Sequence, residues 1–367
     1  MAAVTSPIGD SAPTSAAGDA PAKRRVVFVV GSGRSGTSTM SGTLQTLGMH
    51  VPQPEVSADE TNPKGFGEPQ WVVDFHDELL RRCNVQVSDA RPSAWFEAGK
   101  LNNVEPLRTR LHTWLDAQFL EGGPELVVKD PRLAWFLGLW RSAALRCDAT
   151  PAYVTMLRPV TEVVGSKQKY YAAPGSGRAF GEVNRTAAWV NMMLHTERAT
   201  RGSARAFVRY HDMLDDWTVP LFDLGQRFDL DAVKSASAND IRQVHQFIDP
   251  GLRRVQLTWD DVDVPARLRE IAEEAWVHLD RLADPDGDTP VVHERLDELR
   301  SAYAAMYDEA EAMAHSSALA ARREGVASVP VAPPAAAGHR TPHWMRALIP
   351  GAARRGARRV FARLRGR

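Results

Sequence analysis

The feature that most constrains this chain is the passage from an apolar run into a glycine-rich turn near the N-terminus. Val26-Val27-Phe28-Val29-Val30 is unbroken by polar residues and bounded by Arg25 and Gly31. A short β-branched run of that kind reads as a strand buried on both faces, the habit of parallel sheets. Gly31-Ser32-Gly33-Arg34-Ser35-Gly36-Thr37-Ser38 follows, and then Met40 to Met49 places apolar residues at helical spacing. Strand, glycine turn and helix in that order open a βαβ unit. Leu126–Lys129, Tyr153–Leu157 and Ala206–Tyr210 are further buried-strand candidates, each followed by a segment that can be helical. Helices are predicted over Pro159–Tyr171, Glu182–Arg201, 265–283 and 290–323. The alternation predicts an α/β fold, a central parallel sheet covered by helices on both sides with helical C-terminal additions.

Composition permits one large domain. Of 367 residues 44% are hydrophobic and 25% charged, enough apolar surface for a full core and too much for a disordered chain. Cys83 and Cys147 have no metal-site spacing and are too few for a disulfide framework, so a reducing, cytoplasmic setting is expected. The N-terminus lacks a basic start followed by an apolar run and no stretch of about 18 uninterrupted apolar residues occurs, so neither secretion nor a spanning helix is expected. Residues 1–22, rich in Ala, Ser, Pro and Thr, read as a disordered leader. The folded body is expected over 23–323, a Pro/Ala-rich linker over 324–342 and a basic tail over 343–367. That tail holds eight arginines and no acid, which leaves the body of this formally neutral chain about eight charges negative and argues against a nucleic-acid-binding core. Trp344, Leu348, Phe361 and Leu364 fall near one helical face of the tail. An anionic inner membrane surface, solvent and nucleic acid are each open to it.

The glycine turn is an anion cradle. Glycines let the backbone approach a phosphate, and the amides opening the helix bind it. A nucleotide-hydrolysing loop reads Gly-x-x-x-x-Gly-Lys-Ser/Thr, but here the lysine position is Thr37 and the cation is Arg34. No acidic strand end suited to magnesium stands out, so no metal is expected.

At Arg34-Ser35-Gly36-Thr37-Ser38 the sequence resembles the sulfotransferase superfamily, whose phosphosulfate loop reads basic-Ser-Gly-Thr-Thr/Ser. The arginine form is similar to that of bacterial carbohydrate-type and tyrosylprotein enzymes. A second match is Arg158 at a strand end with Ser166 eight residues on. The family uses such a pair to grip the 3'-phosphate of 3'-phosphoadenosine 5'-phosphosulfate (PAPS). A third is Val208-Arg209-Tyr210-His211-Asp212-Met213, in which the resemblance puts Tyr210 near the adenine. It implies a P-loop-like three-layer fold, PAPS as donor and 3',5'-diphosphoadenosine (PAP) as product. The expected donor-binding residues are Arg34, Ser35, Gly36, Thr37, Ser38, Arg158, Ser166 and Tyr210. The family's aromatic after the loop is replaced by Thr39, and its Arg-Lys-Gly-x-x-Gly-Asp-Trp segment is absent. Arg253 and Arg254 are candidates for part of that role, or a solvated pair.

Sulfuryl transfer needs a base for the acceptor proton and donors for the charge that builds up. The phenol-type histidine is missing, because Lys129 is followed by Asp130, Pro131 and Arg132. The carboxylate that the resemblance implies instead is Glu68, after Gly65-Phe66-Gly67 and before Trp71–Leu80. Lys129 and Arg34 would stabilise the transferring group. Glu55, Asp74, His76 and Asp130 are weaker candidates for the base, and Arg132 either steers an acceptor or forms an ion pair. The expected acceptor is a hydroxyl on a sugar, lipid, phenol or similar molecule. The rival readings are a nucleotide-dependent phosphotransferase and a non-catalytic nucleotide-binding regulator.

Overall fold

The computed structural model describes residues 23–59, 62, 65–171, 177–249, 251 and 256–328. The expected leader, the tail, Arg253, Arg254 and the linker beyond residue 328 lie outside the described residues. Strand β1 (Arg24–Val30) leads through the glycine turn into helix α1 (Thr37–Thr46). Helices α2 (Gln70–Cys83), α3 (Ala94–Gly99) and α4 (Glu105–Gly122) precede strand β2 (Glu125–Lys129). Helix α5 (Leu137–Arg146) and strand β3 (Ala149–Leu157) follow, then α6 (Val160–Tyr171), α7 (Arg178–Thr200), strand β4 (Ala204–Arg209) and α8 (Tyr210–Asp216). The fourth strand thus ends one residue short of the expected boundary. Tyr210 opens α8, which turns its ring back over the sheet end.

The four strands pair in parallel in the order β2-β1-β3-β4. This is the α/β architecture that the alternation of elements predicts, in the P-loop-like form that the resemblance implies. Every residue from Val26 to Val30 is fully buried, and alternate side chains serve opposite faces. Val26, Phe28 and Val30 pack with α2, α4 and α5, whereas Val27 and Val29 pack with Met40 and Leu44 of α1 and with Met156 and Val208. Leu157, Val160 and Val164 join Trp189 and Met193 of α7 in a third core with the helix Ala266–Arg281.

The chain leaves β1 toward β2 on one side and returns to β3 on the other. The carboxyl end of β1 is therefore a switch point, where open α/β sheets form ligand crevices. The turns after all four strands converge on that edge.

The chain divides into two compact units, Met1–Glu309 and Ala310–Arg367. The first contains the sheet. In the second, residues 310–324 are exposed side chains of the helix Pro290–Ser328, which runs past the expected boundary at 323. Among the described residues no helix is long and apolar enough to cross a membrane.

Candidate active site

Three residues of the turn after β1 have positive φ, Gly31 at 130°, Arg34 at 75° and Gly36 at 94°. This curls the backbone into a concave nest. A Cβ on Gly36 would stand 2.1 Å from the Tyr210 ring, so glycine is required there by both conformation and space. Helix α1 begins at Thr37 without a side-chain cap or an acid in its first turn. Its first amides are left to accept an anion. Ser35 behaves differently from its neighbours: its hydroxyl donates to the Ser32 carbonyl at 2.6 Å, and the side chain is buried. Its amide donates to the same carbonyl at 3.1 Å, so both polar groups of Ser35 that can donate close the turn.

Arg34 and the strand-end pair meet directly. Arg34 Nε donates to Ser166 Oγ at 3.1 Å, and Arg158 Nη1 donates to the Arg34 carbonyl at 3.1 Å. The Arg158 guanidinium lies 5.0 Å from the centre of the Tyr210 ring, and its Nε donates to Glu162 at 2.9 Å. Burial opposes the Glu162 anion, but hydrogen bonds from His211 and Arg158 outweigh it and hold the carboxyl down at about 2. Glu162 therefore keeps Arg158 oriented at any ordinary pH. Burial also pushes the Tyr210 phenol up, against the nearby Arg158 and a hydrogen bond with Thr39.

At the end of β2, Lys129 is 2% exposed. Its ammonium donates to Glu68 Oε1 at 2.5 Å, the Phe66 carbonyl at 2.9 Å and Ser38 Oγ at 3.1 Å. Ser38 Oγ also accepts from Asn62 Nδ2 at 3.2 Å, which leaves the hydroxyl hydrogen free to turn toward a ligand. Gly67, at φ 62°, passes so close to Ser41 that a Cβ would meet its hydroxyl at 2.9 Å; the sharp turn sets Glu68 beside Lys129. Burial raises the Glu68 pKa, and Lys129 opposes the rise without cancelling it.

These groups line one cavity of about 640 Å³. Of the residues singled out by sequence, Arg34, Gly36, Thr37, Ser38, Glu68, Lys129, Arg132, Arg158, Ser166 and Tyr210 border it. The weaker candidates for the base have other occupations. His76 is wholly buried: Trp140 Nε1 donates to its Nε2, so Nδ1 carries the hydrogen given to Asp130 at 2.9 Å. Burial opposes ionisation of Asp130, but His76 and Arg132 hold it at about 2. Glu55 accepts from Gln45 and Gln53, and Asp74 accepts from Gln70. Arg132 pairs with Asp77 at 2.7 Å and Asp130 at 3.0 Å while still bordering the cavity.

Asn62, Gln86, Ser88, Lys167, Asn184 and Arg185 also border the cavity, and none of them stands out in the sequence. Lys167 is 8% exposed and donates to Ser32 Oγ at 3.1 Å and Ser88 Oγ at 3.3 Å. The one signal for it is its place directly after Ser166. Fold and site together define an α/β protein with an arginine-bearing phosphate-type loop at a cation-lined cavity.

No protein-family model matches the sequence, and no curated protein matches it. Similar solved structures are sulfotransferases. The sulfotransferase domain from the Synechococcus PCC 7002 olefin synthase is 17% identical, with a TM-score of 0.40 over 70% of this chain and 95% of that one. The sulfotransferase domain from the curacin biosynthetic pathway is 14% identical, with a TM-score of 0.39 over 68% of this chain and 96% of that one. A Mycobacterium tuberculosis H37Rv sulfotransferase is 17% identical, with a TM-score of 0.33 over 62% of this chain and 77% of that one.

Proposed function

We propose that this chain is a sulfotransferase that moves a sulfuryl group from PAPS to an acceptor hydroxyl. The observation that carries the reading is the contact of the two phosphate motifs on one cavity, through Arg34 with Ser166 and Arg158 with the Arg34 carbonyl. A generic nucleotide needs only the turn after β1. A donor phosphorylated at both ends makes use of both. In this reading Arg34 and the amides of Thr37 to Thr39 hold the 5'-phosphosulfate, Arg158 and Ser166 hold the 3'-phosphate, and Tyr210 borders the adenosine. The cation-rich walls suit so anionic a donor.

In the same reading the chemistry falls to Lys129, which meets Ser38 of the cradle, and to Glu68 beside it. Glu68 takes the acceptor proton; burial has brought its basicity closer to that of the group it must deprotonate. Lys129, fixed by three acceptors, supplies positive charge where the oxygen leaving sulfur becomes anionic. Protonation of the Glu68 carboxylate cancels the closest counter-charge of Lys129, whose charge then acts on that oxygen from where it already stands. Arg34 and the α1 amides stabilise the transferring group, a task that needs no divalent cation in this assignment.

Calorimetry without added magnesium tests the donor. A charge-assisted arginine contact is worth about 1.5–3 kcal/mol, so Arg158→Ala is expected to weaken PAP about 10- to 100-fold. Adenosine 5'-phosphosulfate, which lacks the 3'-phosphate, should be almost unaffected. Equal weakening of both ligands would remove Arg158 from the 3'-phosphate site, and tighter wild-type binding of ATP than of PAP would favour phosphoryl transfer. Mass spectrometry of acceptor pools, read for the gain of one sulfate, identifies the hydroxyl.

A further inference from the structure

The cations around the cavity differ in what balances them. Lys129 lies on Glu68, Arg132 on Asp77 and Asp130, and Arg158 on Glu162. Lys167 and Arg185 are different, because among the described residues neither has a carboxylate partner. Lys167 rests on two serine hydroxyls, and Arg185 donates to the side-chain oxygen of Gln168. The nearby acids in sequence are committed elsewhere, Glu162 to Arg158 and His211, and Glu182 to Arg178 and the Asp263 amide. Residues 172–176, which join α6 to α7, are Ala-Ala-Pro-Gly-Ser and bring no acid.

Removing an ammonium from water without a counter-charge is costly, and a second cation beside it adds repulsion. Burial first, and Arg185 second, pull the Lys167 pKa down to about 8. The lysine therefore still carries its charge at neutral pH. Ser166 and Lys167 are neighbours on α6 but reach different groups: Ser166 accepts from Arg34, whereas Lys167 points to Ser88 on the segment after α2. Lys167, Arg185, Ser88 and Asn184 all border the cavity, beside the residues assigned to the donor.

The geometry points to an anionic acceptor: a carboxylate, phosphate or sulfate on the molecule to be sulfated sits between Lys167 and Arg185, with Ser88 as a hydrogen-bonding group. The inference rests on the sulfuryl-transfer reading and narrows its acceptor class. The same oxyanion chemistry is present in the 3'-phosphate of the donor, and the test separates the two sources.

Inorganic sulfate is titrated into protein saturated with PAPS, so that the donor positions are filled, and PAP affinity is measured separately. Wild type is expected to take up sulfate. Lys167→Met and Arg185→Gln should each weaken sulfate about tenfold or more and leave PAP within twofold. Absence of sulfate uptake by the PAPS-loaded wild type, or uptake unchanged in both variants, overturns the inference. A tenfold loss of PAP affinity in Arg185→Gln also overturns it, by assigning the pair to the donor. If wild type binds no PAP, the sulfuryl-transfer reading falls on its own. Sulfate uptake by the ligand-free protein that Arg185→Gln lowers tenfold would then uphold the anion subsite alone.

Discussion

Around Lys129 the cations of the cavity meet carboxylates, whereas around Lys167 the partners are hydroxyls and a side-chain amide. The first region is held rigid before any ligand arrives. Trp140 fixes His76, His76 fixes Asp130, Asp130 helps fix Arg132, and Lys129 has three acceptors at once. Such preorganisation is what charge development in a transition state requires, since no reorganisation remains to be done at the moment of reaction. Among the described residues no carboxylate meets the cations of the second region, which suits recognition. In the proposed function one continuous cavity thus separates the residues assigned to the chemistry from those assigned to selecting the acceptor.

The largest expected effect breaks the first region. Glu68→Gln removes the proposed base at nearly constant shape, and kcat should fall about 100-fold or more while PAP affinity stays within twofold. The wild-type kcat/KM should rise with pH through a value above the ordinary glutamate range, because burial raises this carboxyl. That acid limb should vanish from the residual rate of the variant. Unchanged turnover with a verified acceptor would exclude Glu68 from proton transfer.

A smaller effect sharpens the second region. Sulfate does not titrate near neutrality, so the pH dependence of its uptake reports on the protein. The Lys167 ammonium, with its pKa lowered to about 8, is lost as pH rises through that value. Sulfate affinity in the PAPS-loaded protein should therefore fall about tenfold between roughly pH 7 and 9 and become nearly flat in Lys167→Met. A wild-type profile as flat as that of the variant would show that Lys167 carries no charge to the ligand.

The smallest effect concerns the fold. The unfolded chain keeps the Lys167 proton up to the ordinary lysine value of about 10.4, while the folded chain releases it near 8. Between those values the unfolded state binds more protons, so stability rises with pH. Denaturant titrations should show this contribution, about 1 kcal/mol between roughly pH 7 and 9, missing from Lys167→Met. An identical slope in both proteins would mean that the lysine is not desolvated as its surroundings imply.

Much of the site is legible in the amino-acid sequence. Arg34, Arg158 and Ser166 stand in motifs whose spacing carries their meaning, and Lys129 ends an apolar run. Ser35 shows the limit of a motif, because its hydroxyl turns back to Ser32 and away from the cradle. His76 shows another: it stands among the weaker candidates for the base until Trp140 and Asp130 are seen to occupy both ring nitrogens. The setting of Lys167 and Arg185 has no local signature, because it is defined by the absence of a carboxylate partner among the described residues.

The sequence by itself determined the order of strand, turn and helix, since apolar runs, helical spacing and glycine conformations are local properties of a few residues. Only the tertiary structure decided which charges meet. Lys129 finds Glu68 across 61 residues, Arg34 finds Ser166 across 132 and Lys167 finds Ser32 across 135. Parallel strands joined through a switch point bring those positions to one edge of the sheet, and a side chain's partner there depends on packing that no local pattern encodes.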